Sequence, residues 1–77
     1  MSFIEQLKLI KRLDNLIQRK ATGTPQQLAD RLDISRSSVF RQISILKKLG
    51  AKIYYCKHSR SYRYEEKFSD TFLASLD

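Results

Sequence analysis

The sequence predicts a mainly α fold closed by a small β-hairpin: three helices and then two short strands in one domain. Three observations carry this expectation. Two helix starts are spelled out by their capping residues, at Ser2 and at Thr24-Pro25. Apolar residues recur at helical spacing as far as Leu49. After Gly50 the period changes to alternation.

The first helix opens with Ser2 and Glu5 at capping-box spacing, where hydroxyl and carboxylate satisfy each other's free backbone donors. Phe3, Leu7, Ile10, Leu13 and Ile17 are expected to face the core. Arg19 and Lys20 fall in the expected last turn, where cations suit exposed carbonyls, and Gly23 supplies a stop. Leu9 and Leu16 widen the apolar arc, which leaves a central position or a contact with a second subunit open.

The second helix is capped by Thr24, with Pro25 at the first helical position and Gln27 completing the box. Leu28, Ala29 and Leu32 form its apolar face, and Asp33-Ile34 follow as a tight turn. Ser35 caps a third helix that runs to Leu49, with Gly50 past its end. On a helical wheel Val39, Ile43, Leu46 and Leu49 gather on one side, and Ser37, Phe40, Arg41, Ser44 and Lys48 on the other. A phenylalanine among hydroxyls and cations has no structural purpose on a solvated face, so this second side reads as a contact surface.

Beyond Gly50, Ala51, Ile53 and Tyr55 point one way, and Lys52, Tyr54 and Cys56 the other. Lys57-His58-Ser59-Arg60 is a short polar loop, and Ser61-Tyr62-Arg63-Tyr64 returns as the second strand. Tyr62 and Tyr64 are expected to pack on the core or along the strands. These elements make one domain over residues 1–66. Residues 67–77 form an acidic and apolar tail in which Phe68, Phe72, Leu73 and Leu76 keep helical spacing. The tail suits a short docking helix, a dimer contact or the start of a further segment, and the sequence does not choose among these.

An apolar fraction of 42% over 77 residues suffices for one core and leaves no material for a catalytic cleft. One cysteine cannot form an internal disulfide, which fits a reducing compartment. Neither a signal peptide nor a membrane-spanning run is expected, so the chain reads as cytoplasmic and associated with the nucleoid. The net charge of +7 is unevenly spread. Residues 51–64 carry four cations and no acid, whereas residues 65–77 carry four acids and one cation. Between Asp33 and Glu65 no acidic residue occurs at all. A polyanion is the natural partner of such a stretch.

The order helix, short capped helix, tight turn, longer helix and basic hairpin is that of a winged helix-turn-helix. The run Thr24-Pro25-Gln26-Gln27-Leu28-Ala29 through Ile34-Ser35-Arg36-Ser37-Ser38-Val39 resembles DeoR-like and related bacterial winged-helix DNA-binding domains. The later Lys48-Leu49-Gly50-Ala51-Lys52-Ile53 and Ser61-Tyr62-Arg63-Tyr64 resemble the same family's helix end and wing. The resemblance covers about residues 3–64. One departure is Asp33, where many relatives carry glycine at a position suited to positive φ. Many relatives also carry an effector or enzymatic domain, and none is expected within these 77 residues.

The resemblance implies that the third helix enters the major groove of double-stranded DNA. Arg36 and Arg41 are then candidates for guanine or phosphate contacts, and Phe40 for a thymine methyl. Ser37, Ser38, Ser44 and Lys48 line the same helix as polar contacts. Thr24 and Gln26 sit at a helix N-terminus suited to a phosphate. Lys57, His58 and Arg60 on the wing are phosphate contacts, with Arg63 beside them and Arg60 the candidate for a minor groove.

His58 and Cys56 give two ligands where a structural zinc site needs four, and they lack the third group of a nucleophilic triad. No catalytic residue, metal or cofactor is expected, and the chain does not read as an enzyme. A transcription regulator is the leading reading. An accessory factor of a mobile element, a winged-helix protein-interaction module, structured-RNA binding, and a homodimer or partner protein stay open.

Overall fold

The chain, seen in a computed structural model, is described over residues 2–65; Met1, Glu66 and the tail 67–77 lie outside the described residues. Helix α1 spans Phe3–Gln18, α2 Pro25–Leu32 and α3 Arg36–Lys48. Strands β1 (Ile53–Cys56) and β2 (Ser61–Tyr64) pair antiparallel, with Ile53 opposite Tyr64 and Tyr55 opposite Tyr62. Among the described residues the fold is three helices and a two-stranded hairpin, a winged helix-turn-helix in architecture.

Each helix begins where its cap says it should. Ser2 and Thr24 form complete capping boxes with Glu5 and Gln27, and the Ser35 hydroxyl accepts from the Ser38 amide. The ends share one device. Near the end of each helix a residue turns left-handed, Lys20 at φ 55°, Asp33 at φ 55° and Gly50 at φ 106°. The next amide then reaches back five residues: Ala21 to the Leu16 carbonyl at 2.9 Å, Ile34 to Ala29 at 3.0 Å, and Ala51 to Leu46 at 3.1 Å. This is the Schellman closure, which satisfies carbonyls that the helix leaves open.

The first of these ends differs from expectation. α1 stops at Gln18, so Arg19 and Lys20 lie past its last turn, and Lys20 rather than Gly23 reverses the chain. Gly23, at φ 73°, serves the next helix instead. A Cβ there would stand 2.5 Å from the Gln27 Oε1 that closes the second capping box.

The core gathers Leu9, Ile10, Leu13 and Ile17 of α1, Leu28, Ala29 and Leu32 of α2, Val39, Ile43 and Leu46 of α3, and Ala51, Ile53 and Tyr62 beyond them. Three expected core residues, Phe3, Leu7 and Leu49, are outside it, Leu7 being half-buried on the open side of α1. Phe3 is 74% exposed, because burial along α1 begins only at Leu9 and the first turn runs past the elements packed on the helix. Leu49 is 47% exposed, since the chain turns at Gly50 and Ala51 takes the buried position. Gln42 is buried in α3 and accepts a hydrogen bond from the Gln6 side-chain amide, so the helices are pinned by a satisfied polar pair.

Candidate nucleic-acid interface

Helix α3 is divided lengthwise. Val39, Gln42, Ile43 and Leu46 are buried, while Arg36, Ser37, Phe40, Arg41, Ser44 and Lys48 are exposed. Phe40 keeps 46% of its surface in solvent, an apolar ring held out of the core by the same helical period that buries its neighbours. The Arg36 guanidinium carbon lies 6.0 Å from the Phe40 ring centre, at the outer limit of a cation–π contact. One turn of helix thus holds a cation and an aromatic face together. Burial raises the pKa of the Tyr62 phenol, the Tyr55 phenol adds to this, and the Arg36 charge opposes it, so the start of α3 acts electrostatically on β2.

Ser38 faces inward by comparison. It is half-buried, its amide donates to Ser35 Oγ at 3.1 Å, and its hydroxyl accepts from the Ser35 hydroxyl at 3.0 Å. Thr24 is similarly engaged: its Oγ1 accepts from the Gln27 amide at 3.2 Å and its own amide donates to Gln27 Oε1 at 2.9 Å. Gln26 is exposed, with its side-chain amide donating to Asp30 at 3.2 Å. Lys57, His58 and Arg60 are exposed in the turn between the strands, where Arg60 adopts φ 50°. Arg63 is half-buried opposite the 44%-exposed Tyr54, so these two pair across the strands. The structure therefore brings Arg36, Ser37, Phe40, Arg41, Ser44 and Lys48 onto the exposed side of α3, leaves Ser38 off it, and puts Lys57, His58 and Arg60 at the hairpin tip.

The hairpin root depends on residues without any sequence signal. Thr22 and Ser61 are buried, and their hydroxyl oxygens lie 3.1 Å apart. The Tyr62 amide donates to Thr22 Oγ1 at 2.8 Å, and the Thr22 amide donates to Ser61 Oγ at 3.3 Å. On the other side, the Tyr64 hydroxyl donates to Asp14 Oδ1 at 2.5 Å, joining β2 to α1. Lys47 is also exposed near the end of α3, and a wheel would have found it.

At the tip, hydrogen bonds from Ser59, chiefly its side chain, bring the Cys56 thiol down to about 7. Among the described residues, no group of three or more His, Cys, Asp or Glu side chains is placed to hold a metal ion. No described helix is long and apolar enough to cross a membrane.

A family model described as an HTH domain matches residues 6–61, from within α1 to the first residue of β2. The chain belongs to this helix-turn-helix family. No curated protein and no solved structure matches it. In this helix-turn-helix domain α2 and α3 form the named pair, and Asp33 makes the turn between them with its left-handed backbone. Asp is among the few residues that enter this region readily, because its short polar side chain can bond locally. Membership supports DNA as the partner of the helix-turn-helix domain and is typical of non-enzymatic proteins.

Proposed function

We propose that this helix-turn-helix domain binds duplex DNA with sequence preference, α3 in the major groove and the hairpin on the backbone. It acts as a small cytoplasmic transcription regulator, by occupancy and without chemistry, in the manner of the DeoR-like winged domains. The observation that carries this reading is the outer face of α3, where Phe40 stands exposed with Arg36 over its ring and Arg41 beside it.

The chemistry of that face suits a groove. A guanidinium offers a planar fork to guanine or phosphate, and a ring edge packs on a thymine methyl. Ser37, Ser44 and Lys48 extend the polar contacts along the helix. Lys57, His58 and Arg60 reach phosphates from the wing, with Arg60 directed to a minor groove. Gln26 reaches a phosphate by exchanging its bond to Asp30, while Thr24 and Ser38 contribute chiefly by ordering the two helix starts. One copy covers a short site, so two copies on adjacent half-sites supply the useful specificity.

Fluorescence anisotropy of a labelled random-sequence duplex, titrated across a salt series, tests the reading. Binding that weakens steeply with salt supports it, because released counterions set that slope. No binding of the folded protein at low salt sinks it and favours a protein-interaction module. Sedimentation on a selected site tests the half-site arrangement: a single bound copy removes it.

A further inference from the structure

An apolar surface on α1 is uncovered within the described residues, and the chain that follows β2 has the matching pattern. Phe3 is 74% and Ile4 63% exposed, and a shallow groove beside them is lined by Ile4, Leu7, Lys8 and Lys11. Strand β2 packs against α1. Tyr64, near the end of β2, bonds Asp14, and Asp14 lies two helical turns from Leu7 on nearly the same line, with an offset of about 20°. Phe3 continues that line, and Ile4 and Lys11 stand next to it. Along the axis, Leu7 is about 10 Å and Phe3 about 16 Å from Asp14.

Residues 66–77 carry Phe68, Phe72, Leu73 and Leu76 at helical spacing, with Glu66, Asp70 and Asp77 on a neighbouring line. Twelve residues in a helix span about 18 Å, enough to run from Asp14 to Phe3. Their charge is opposite to that of Lys8 and Lys11.

We propose that residues 66–77 dock in cis along α1, laying Phe68, Phe72, Leu73 and Leu76 over Phe3, Ile4 and Leu7, with their carboxylates beside Lys8 and Lys11. The occupant is the chain's own tail because β2 already packs on α1 and its last residue, Tyr64, bonds Asp14 at one end of this line. The tail then completes the core edge that α1 leaves open, and it holds its acids on α1 rather than over α3. This inference does not depend on what the α3 face binds.

Nuclear Overhauser spectra of the uniformly labelled full chain test it. Expected are contacts from the Phe68 and Phe72 ring protons to the Ile4 and Leu7 methyls, absent from isotope-filtered spectra of a labelled and unlabelled mixture. The Phe72→Ser variant should shift the amides of Ile4, Leu7 and Lys8 and leave those of α3 in place, which also reports that the domain is folded. Ile4→Ser, at an exposed position, should shift the tail amides in turn. Tail amides at random-coil positions without these contacts overturn the proposal. Contacts seen in the filtered mixture also overturn it, by showing that a second copy covers the surface.

Discussion

Thr22 holds the wing in place from the loop between the first two helices: its hydroxyl oxygen accepts the Tyr62 amide at 2.8 Å across 40 residues of sequence. The side chain does there what a third strand would do, giving a partner to a buried backbone donor on the outer side of β2. Its own hydroxyl proton is used as well, since Oγ1 lies within bonding distance of both the Gly23 carbonyl and Ser61 Oγ.

Thr22→Val keeps the shape and removes the acceptor. The Tyr62 amide is then buried without a partner, which costs about 1–3 kcal/mol. Thermal unfolding followed by circular dichroism should show a fall of roughly 4–8 °C for each kcal/mol lost in a domain of this size. Hydrogen exchange at the Tyr62 amide should accelerate, and Thr22→Ser should retain most of the stability. An unchanged midpoint in the valine variant would remove Thr22 from this role.

The left-handed positions Lys20, Gly50 and Gly23 predict opposite effects of glycine. Lys20→Gly relieves a left-handed side chain and should stabilise the domain by roughly 0.5–1 kcal/mol. Gly50→Ala meets no atom within 4 Å, so its cost of about 1 kcal/mol is conformational alone. Gly23→Ala should cost more, because the added Cβ also meets the Gln27 side chain. Urea midpoints of the three variants should rank in that order, and a destabilised Lys20→Gly would contradict the shared closure.

On the proposed DNA face, Arg36→Ala/Arg41→Ala should weaken duplex binding by roughly 1–3 kcal/mol for each lost base contact. If the lost contacts are to phosphates, the salt dependence should flatten by about 0.9 in the log–log slope for each. Phe40→Ala should reduce preference among sequences more than affinity for random DNA. Arg19→Ala, outside this face, should bind as the wild type does. Equal losses for Arg19 and Arg41 would mean that general charge, and not the α3 face, governs binding.

Cys56 should alkylate as an acidic thiol. Its iodoacetamide rate should rise through a midpoint at about 7, where the Ser59 hydrogen bonds place it. The reactive form is the thiolate, so the rate climbs with pH. Ser59→Ala should move the midpoint up toward the ordinary thiol range, and denaturation in urea should do the same. A midpoint that ignores Ser59 would rule out that hydrogen bond as the cause.

Tyr64 is shifted the other way. Burial first, and then the hydrogen bond to Asp14, hold its phenol protonated well above the ordinary tyrosine range. A raised folded-state value means that the folded chain keeps a proton which the unfolded chain releases near pH 10. Its contribution to stability is complete below that pH and is lost as pH rises further. Ultraviolet titration should show Tyr64 ionising only with unfolding, and Tyr64→Phe should flatten the alkaline loss of stability. Reversible ionisation of Tyr64 in the folded chain would contradict the burial.

What the sequence determined by itself was local. Ser2, Thr24 and Ser35 start their helices because each cap is satisfied within three residues, and Asp33 takes its left-handed turn directly after Leu32. The alternation of Ile53, Tyr55, Tyr62 and Tyr64 set one face of the hairpin, and the period of α3 left Arg36, Phe40 and Arg41 exposed together. Tertiary structure decided what periodicity cannot: which apolar residue meets a neighbour and which polar residue finds a distant partner. Phe3 and Leu49 sit on apolar arcs, yet no described element packs over them enough to bury them, and Lys20 reverses the chain with no glycine to announce it. Gln42, Thr22 and Tyr64 are paired through Gln6, Ser61 and Asp14, 36 to 50 residues away. A cap is chosen by its own turn of helix, but burying a polar atom requires a partner that only the packed chain brings within reach.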